Sequence, residues 1–207
     1  MRGRFISFEG IDGAGKSSHL EHVERWLQAQ GIEVVLTREP GGTDLAEAIR
    51  ELVLARPMAP LTEALLVFGA RHDHVQQQIL PALAQGQWVV CDRFTDSSLA
   101  YQGDGRGVPA EILTWLSEQV HGGLWPDRTY WFDISPEQAA RRVSARAPAD
   151  RFEAEQVGFF ERVASAYARI ARESPARVLR LDAAQTREQI ATLIEADLRG
   201  MLAQASE

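Results

Sequence analysis

The sequence predicts an α/β fold in which a five-stranded parallel sheet carries helices on both faces. Three observations lead there. Five short apolar runs recur: "RFISFE" (4–9), "EVVLT" (33–37), "WVVCD" (88–92), "TYWFD" (129–133) and "VLRLD" (178–182). Each is rich in β-branched or aromatic residues and lacks polar alternation, the pattern of strands covered on both faces. Segments of helical period fill the gaps between them, so the strands are joined by right-handed βαβ crossovers. Three runs end in Asp and one in Glu, at the carboxyl edge where open parallel sheets bind ligands.

The helical segments follow in order. "SSHLEHVERWLQAQG" sets Leu20, Val23 and Leu27 on one stripe and stops at Gly31. "TDLAEAIRELVL" groups Leu45, Ile49, Leu52 and Val53. "TEALLVFGARHDHVQQQILPALAQG" is a long helical region, bent or ended near Pro81. "PAEILTWLSEQV" opens on a proline suited to a first turn. "PEQAARRVSARA", "EQVGFFERVASAYARIARES" and "TREQIATLIEADLRGMLAQA" complete the set. No repeat, low-complexity tract or linker interrupts the chain, which reads as one domain over residues 1–207.

Composition narrows the function. The net charge of −7 argues against non-specific nucleic-acid binding, which needs a basic face. An anionic substrate would be held by local arginines instead. No apolar run approaches the roughly 20 residues needed to cross a membrane. The segment "MRGRFISFEG" has no apolar signal-peptide core, so a cytoplasmic protein is expected. The single cysteine, Cys91, excludes an intramolecular disulfide and a multi-cysteine zinc site, and reads as a buried structural thiol.

Lys16 is the only lysine in the chain; every other basic side chain is an arginine. It stands in "GIDGAGKS", where Gly10, Gly15, Lys16 and Ser17 satisfy G-x-x-x-x-G-K-[ST] between a strand and a helix. The sequence therefore predicts a P-loop NTPase fold, with Gly10, Asp12, Gly13, Ala14, Gly15, Lys16, Ser17 and Ser18 cradling ATP phosphates through backbone N–H groups and the helix N-terminus. A compact ammonium on a flexible stem can follow a phosphoryl group as it moves, whereas an arginine fork would crowd the loop. Ser17 would offer its hydroxyl to Mg²⁺. Asp92, at the end of the third apolar run, fits the second acidic element that holds Mg²⁺ directly or through water; a strand-end Asp can also simply cap a loop.

The remaining motifs narrow the second substrate. "FEGIDGAGKS", "TREPGGT" (37–43), "DRFTDSSLAYQG" (92–103), "WPDRTYWFD" and "DRFE" (150–153) together resemble bacterial thymidylate kinase, a family of P-loop nucleoside-monophosphate kinases, over nearly the whole chain. The resemblance implies Mg²⁺-dependent transfer of the ATP γ-phosphoryl to dTMP, giving dTDP and ADP, and a homodimer. It implies that Arg93 binds the acceptor phosphate. Arg38 also lies just past a strand and can converge there, or can pair structurally with Glu39 or a nearby acid. Arg50 matches an arginine of the nucleotide cleft, or is a solvated helix residue. In "VFGAR", Arg71 would face the base. The stacking position falls between Val67, four residues before the arginine, and Phe68, three before, which reads equally as core. Ser98 and Gln102 match residues that read the thymine edge, with Ser97 and Tyr101 as neighbours. Asp12 would face the sugar or the metal shell. A lid over about residues 142–155 would supply the catalytic arginines Arg146 and Arg151, beside Lys16 and Arg93, while Arg141 and Arg142 read as solvated. Adenine would rest on "DAAQT" (182–186). The competing readings are another nucleotide or nucleoside kinase acting on dUMP, dCMP or a nucleoside, and a nucleotide switch, for which the sequence offers no switch segment.

Overall fold

A computed structural model describes residues 2–143 and 157–204. Five parallel strands, β1 (Phe5–Glu9), β2 (Val34–Arg38), β3 (Trp88–Asp92), β4 (Arg128–Asp133) and β5 (Val178–Asp182), form one sheet in the order β2-β3-β1-β4-β5. The chain lays β2 and β3 on one side of β1 and β4 and β5 on the other. The carboxyl edge of β1 is therefore where the winding reverses, the place where such sheets open a crevice. Register brings the strand-end acids and arginines together there: Phe8 pairs with Asp92, and Arg38 pairs with Asp92.

Alternate strand residues face opposite layers. Ile6, Phe8, Val90, Tyr130 and Phe132 pack with Leu20, Val23 and Leu27 of α1 (Lys16–Ala29) and with Ile190, Ile194 and Leu198 of α9 (Arg187–Gln204). Phe5, Val89 and Cys91 face the other way, onto Val75, Ile79 and Leu83. The thiol of Cys91 is fully buried, and burial pushes its ionisation well above the usual range.

The long apolar region after β2 divides as its proline requires. It forms α3 (Pro60–His74), a π-helical turn (Val75–Ile79) and α4 (Leu80–Ala84), with Pro81 in the first turn of α4. Pro81 has no N–H to give to the preceding turn, and the wider π turn absorbs the mismatch. A second π turn, Leu99–Gly105, follows the four-residue helix α5 (Thr95–Ser98). Between β2 and α3 lies α2 (Asp44–Ala55), and α6 (Ala110–His121) precedes β4, with Pro109 as its N-cap. After β4 come α7 (Pro136–Val143) and α8 (Val157–Glu173). One stripe differs from its sequence reading: Val53 of α2 is buried, but Leu45 and Leu52 are 56% and 40% exposed. Among the described residues no helix is long and apolar enough to cross a membrane.

Candidate active site

The loop after β1 turns on glycines. Gly10, Gly13 and Gly15 all have positive φ, and a Cβ on Gly10 would lie 2.7 Å from the carbonyl oxygen of Phe132. Gly15 is the N-cap of α1, so the first N–H groups of that helix open onto the loop. Lys16 folds back across it. Its Nζ donates to the Gly10 carbonyl at 3.2 Å and stands 4.0 Å from Asp92 Oδ1. Burial, followed by the charge of Arg93, holds its pKa below the ordinary lysine value despite the acids around it.

Two neighbouring cavities open from this edge. The first is lined by Gly13, Gly15, Lys16, Ser17, Ser18 and Asp92, with Arg38 at its margin. The second is lined by Val53, Leu54, Val67, Arg71, Ser98 and Gln102. Asp12, Glu39, Arg50 and Arg93 line both, so they form the wall the two share.

Arg93 dominates that wall. It is the one described non-glycine residue with a left-handed backbone, φ 74°. Nη1 donates to the Gly10 carbonyl at 2.9 Å, to Ser97 Oγ at 3.1 Å and to Tyr167 OH at 3.3 Å. Nη2 donates to Asp12 Oδ1 at 2.6 Å and Tyr101 OH at 3.2 Å. Burial raises the Asp12 pKa, but Arg93 and Lys16 outweigh it and hold the carboxyl below its ordinary value. Beneath Arg93, the fully buried Glu9 accepts from the Phe94 N–H at 2.7 Å, from Ser97 Oγ at 2.6 Å and from Tyr167 OH at 2.9 Å. Burial first, and Asp96 second, push the Glu9 carboxyl up to about 7.

The second cavity has one locked cation. Arg71 donates Nε to Glu39 Oε2 at 2.6 Å and Nη2 to Ser98 Oγ at 2.9 Å, with its guanidinium 4.7 Å from the centre of the Phe68 ring. His74 Nδ1 holds the other Glu39 oxygen at 3.0 Å. Burial opposes ionisation of Glu39, but Arg71 and His74 keep its pKa below the usual carboxylate value.

The predicted site residues therefore sort by position. Asp12, Gly13, Gly15, Lys16, Ser17, Ser18, Asp92 and Arg93 gather at the first cavity, while Ala14 turns into the core and Gly10 offers its carbonyl to Lys16 and Arg93. Arg38 is bound by both carboxylate oxygens of Glu47, at 3.1 and 2.9 Å, and its side chain is 56% exposed, so it meets the cavity as half of an ion pair. Arg50 donates to the Pro40 carbonyl at 2.9 Å. Of the two residues left open for the stacking position, Phe68 packs with Ala64, Val108, Leu113 and Leu116, and Val67 lines the cavity. Arg142, read as solvated, donates to the Ala183 carbonyl at 2.9 Å beside the expected adenine loop. Arg146 and Arg151, with most of the expected lid, lie outside the described residues. Sequence reasoning missed Glu9, Glu63 and Tyr167, and read Glu39 only as a partner for Arg38, whereas Arg38 pairs with Glu47 and Glu39 with Arg71. Glu39 stands inside a quoted motif, but Tyr167 meets Glu9 across 158 residues and had no local signal.

The donor set suits a hard divalent cation held in part by phosphates. Asp92 Oδ1 is buried and accepts no hydrogen bond, and the Ser17 hydroxyl lines the same cavity.

This arrangement of a glycine loop, one lysine, and arginines between two cavities agrees with what the chain is similar to. The family model described as thymidylate kinase matches residues 8–194. The thymidylate kinase of Alkalilimnicola ehrlichii is 54% identical over 198 residues, 94% of this chain and 91% of that protein. The thymidylate kinase of Teredinibacter turnerae is 49% identical over 205 residues, 98% of this chain and 100% of the other. The crystal structure of thymidylate kinase from Ehrlichia chaffeensis superposes with a TM-score of 0.78 at 31% identity, covering 96% of this chain and 99% of that one. A five-stranded sheet in this order, a P-loop at its winding reversal and relatives matched almost end to end lead to one conclusion: the chain belongs to the thymidylate kinase family.

Proposed function

We propose that the protein transfers the γ-phosphoryl group of ATP to dTMP, giving ADP and dTDP for dTTP biosynthesis, with Mg²⁺ as cofactor. The observation that carries this reading is the wall of Asp12, Glu39, Arg50 and Arg93 common to the phosphate cavity and the apolar-walled cavity. An acceptor whose base fills the second cavity would present its monophosphate at that wall, facing the P-loop.

Each group then has a task. The loop N–H groups and the α1 N-terminus hold the ATP phosphates, with Lys16 as the mobile charge. Ser17 and Asp92 would hold Mg²⁺, which supplies charge neutralisation when bound. Arg93 fixes the acceptor phosphate for in-line attack; no general base is required, because a phosphate oxygen is already ionised near neutral pH. Asp12, turned toward Arg93 and Tyr101, would meet the sugar. Val53, Leu54 and Val67 offer apolar surface to the base, and Arg71, Ser98 and Gln102 its polar edge. Ser97, bonded to Glu9 and Tyr167, would steady Arg93. The segment 142–155 is proposed as a lid bringing Arg146 and Arg151 to the transferring group, in a protein that forms one domain over 1–207. We place it in the cytoplasm and propose a homodimer; the exposed Leu61 and Leu65 of α3 and Leu80 of α4, with Leu45 of α2 and Trp115 of α6, support a covered face.

The test is ADP production from ATP and Mg²⁺ with dTMP, dUMP, dCMP, dGMP, AMP and thymidine, with Lys16→Ala as control. Strong preference for dTMP, lost in the variant and on chelation of the metal, supports the reading. Turnover favouring another monophosphate keeps the phosphate site and overturns the base assignment.

A further inference from the structure

Gln102 lies in the π turn Leu99–Gly105 and lines the base cavity. A primary amide has a donor end and an acceptor end, and on a free side chain nothing decides which one faces a ligand. Here something does. Gln102 Nε2 donates to Glu63 Oε1 at 2.9 Å, and Glu63 Oε2 lies 3.5 Å from Arg106 Nε. Glu63 belongs to α3, is fully buried, and is not among the residues lining the cavity. An ionised carboxylate only accepts. Turning the amide over would set its oxygen against a carboxylate oxygen away from water, an unfavourable contact between two acceptors. Gln102 Oε1 is therefore the atom left for the cavity.

Arg71 complements it. Its Nε and Nη2 are spent on Glu39 and Ser98, and its buried Nη1 has no hydrogen-bond partner among the described residues. The polar wall thus presents a donor from Arg71 and an acceptor from Gln102. Thymine offers the matching pair, the O4 acceptor beside the N3–H donor. Cytosine offers the reverse, an amino donor beside a bare N3.

We propose that Glu63 is a positioning residue that fixes the amide of Gln102 with its oxygen toward the base, and so excludes cytosine monophosphates. The proposal rests on the dTMP reading above. A buried carboxylate on the back of α3 adds little as mere packing, since burying a charge for stability alone is unfavourable. As an acceptor-only group it gives a neighbouring amide one orientation.

The experiment compares kcat/KM for dTMP and dCMP in the wild type, in Glu63→Gln, and in the double variant Glu63→Gln/Gln102→Glu, each checked for folding by circular dichroism. In Glu63→Gln the amide can turn over, and the dTMP-to-dCMP ratio should fall at least ~10-fold, mainly through KM. The double variant exchanges acid and amide, so the cavity again meets an acceptor-only group and the preference should return. A purely structural Glu63 would lower both substrates together and leave the ratio unchanged, which overturns the proposal. If the single variant does not fold, a folded double variant without dTMP preference overturns it equally. Wild-type protein offers a third readout by NMR: the Gln102 side-chain NH₂ protons should stay protected from exchange with and without dTMP, and rapid exchange counts against the proposal. Failure of the wild type to prefer dTMP would instead overturn the underlying reading, and the inference with it.

Discussion

Asp12 Oδ1 sits 2.6 Å from Arg93 Nη2, so a P-loop acid and an arginine 81 residues later are tied together before any substrate arrives. Glu9 accepts the Phe94 N–H next door, which helps hold Arg93 in its left-handed backbone. The guanidinium is thereby held in place by five partners, and on the proposed reading an acceptor phosphate shares or displaces some of them. Arg93→Lys, which keeps charge but loses the fork, should cut kcat/KM by ~10³ with the fold intact. Asp12→Asn should act mainly on the KM for dTMP, by ~10-fold, because it frees Arg93 without removing it. Steady-state kinetics with varied dTMP separates the two.

Lys16→Arg is a sharper probe of the loop than Lys16→Ala. The lysine is 7% exposed and bridges from the Gly10 carbonyl toward Asp92 as a point charge, a geometry that a planar fork does not reproduce. The charge survives the substitution, yet kcat should fall by ~10²–10³ while the melting temperature stays near that of the wild type. Recovery of more than a tenth of wild-type kcat would show that any cation suffices.

Val67 and Phe68 are adjacent and should fail in opposite ways. Val67→Phe puts a ring into the second cavity and, on the proposed reading, should lower kcat/KM for dTMP by ~100-fold with a modest change in stability. Phe68→Ala empties a core position and removes the ring against Arg71, costing about 3–5 kcal/mol in urea unfolding. The reverse pattern would mean that Phe68, after all, faces the base.

Stability should fall on mild acidification. His19 and His121 are pushed down to about 4, by burial first and then by Arg187 and Arg71 respectively. Unfolded histidine binds a proton near 6.5. Between pH 6.5 and 4 the unfolded chain therefore binds more protons at these sites, so their stabilisation, present above 6.5, is lost as pH falls through 4. Glu9 works the other way. Raised to about 7, it is protonated in the folded state where the unfolded chain is not, so its contribution is full below about 4.5 and lost as pH rises through 7. Each group alters the slope by at most about 1.4 kcal/mol per pH unit, less for the two histidines where solvent screens them. Urea midpoints at pH 7, 6 and 5 should show a flatter profile for His121→Gln and a steeper one for Glu9→Gln than for the wild type.

Much of this protein is legible in its sequence. Five apolar runs and the helical periods between them determine the α/β layers, and "GIDGAGKS" together with "DRF" determines the glycine loop and the arginine at the carboxyl edge, because local spacing dictates strand, turn and helix start. Tertiary structure decided the rest. Val67 and Phe68 are both apolar and one residue apart on a helix, so only the rotation of α3 set by its packing chooses which faces the cavity. The exposure of Leu45 and Leu52 depends likewise on what lies against α2. Tyr167 beneath Arg93 and Glu63 behind Gln102 come from helices 70 and 39 residues away from their nearest site partners, Ser97 and Gln102. Sequence periodicity reports which face of an element is apolar; it carries no information on which distant side chain will stand behind an amide or an arginine, and that juxtaposition exists only once the sheet has wound and the helices have closed over its carboxyl edge.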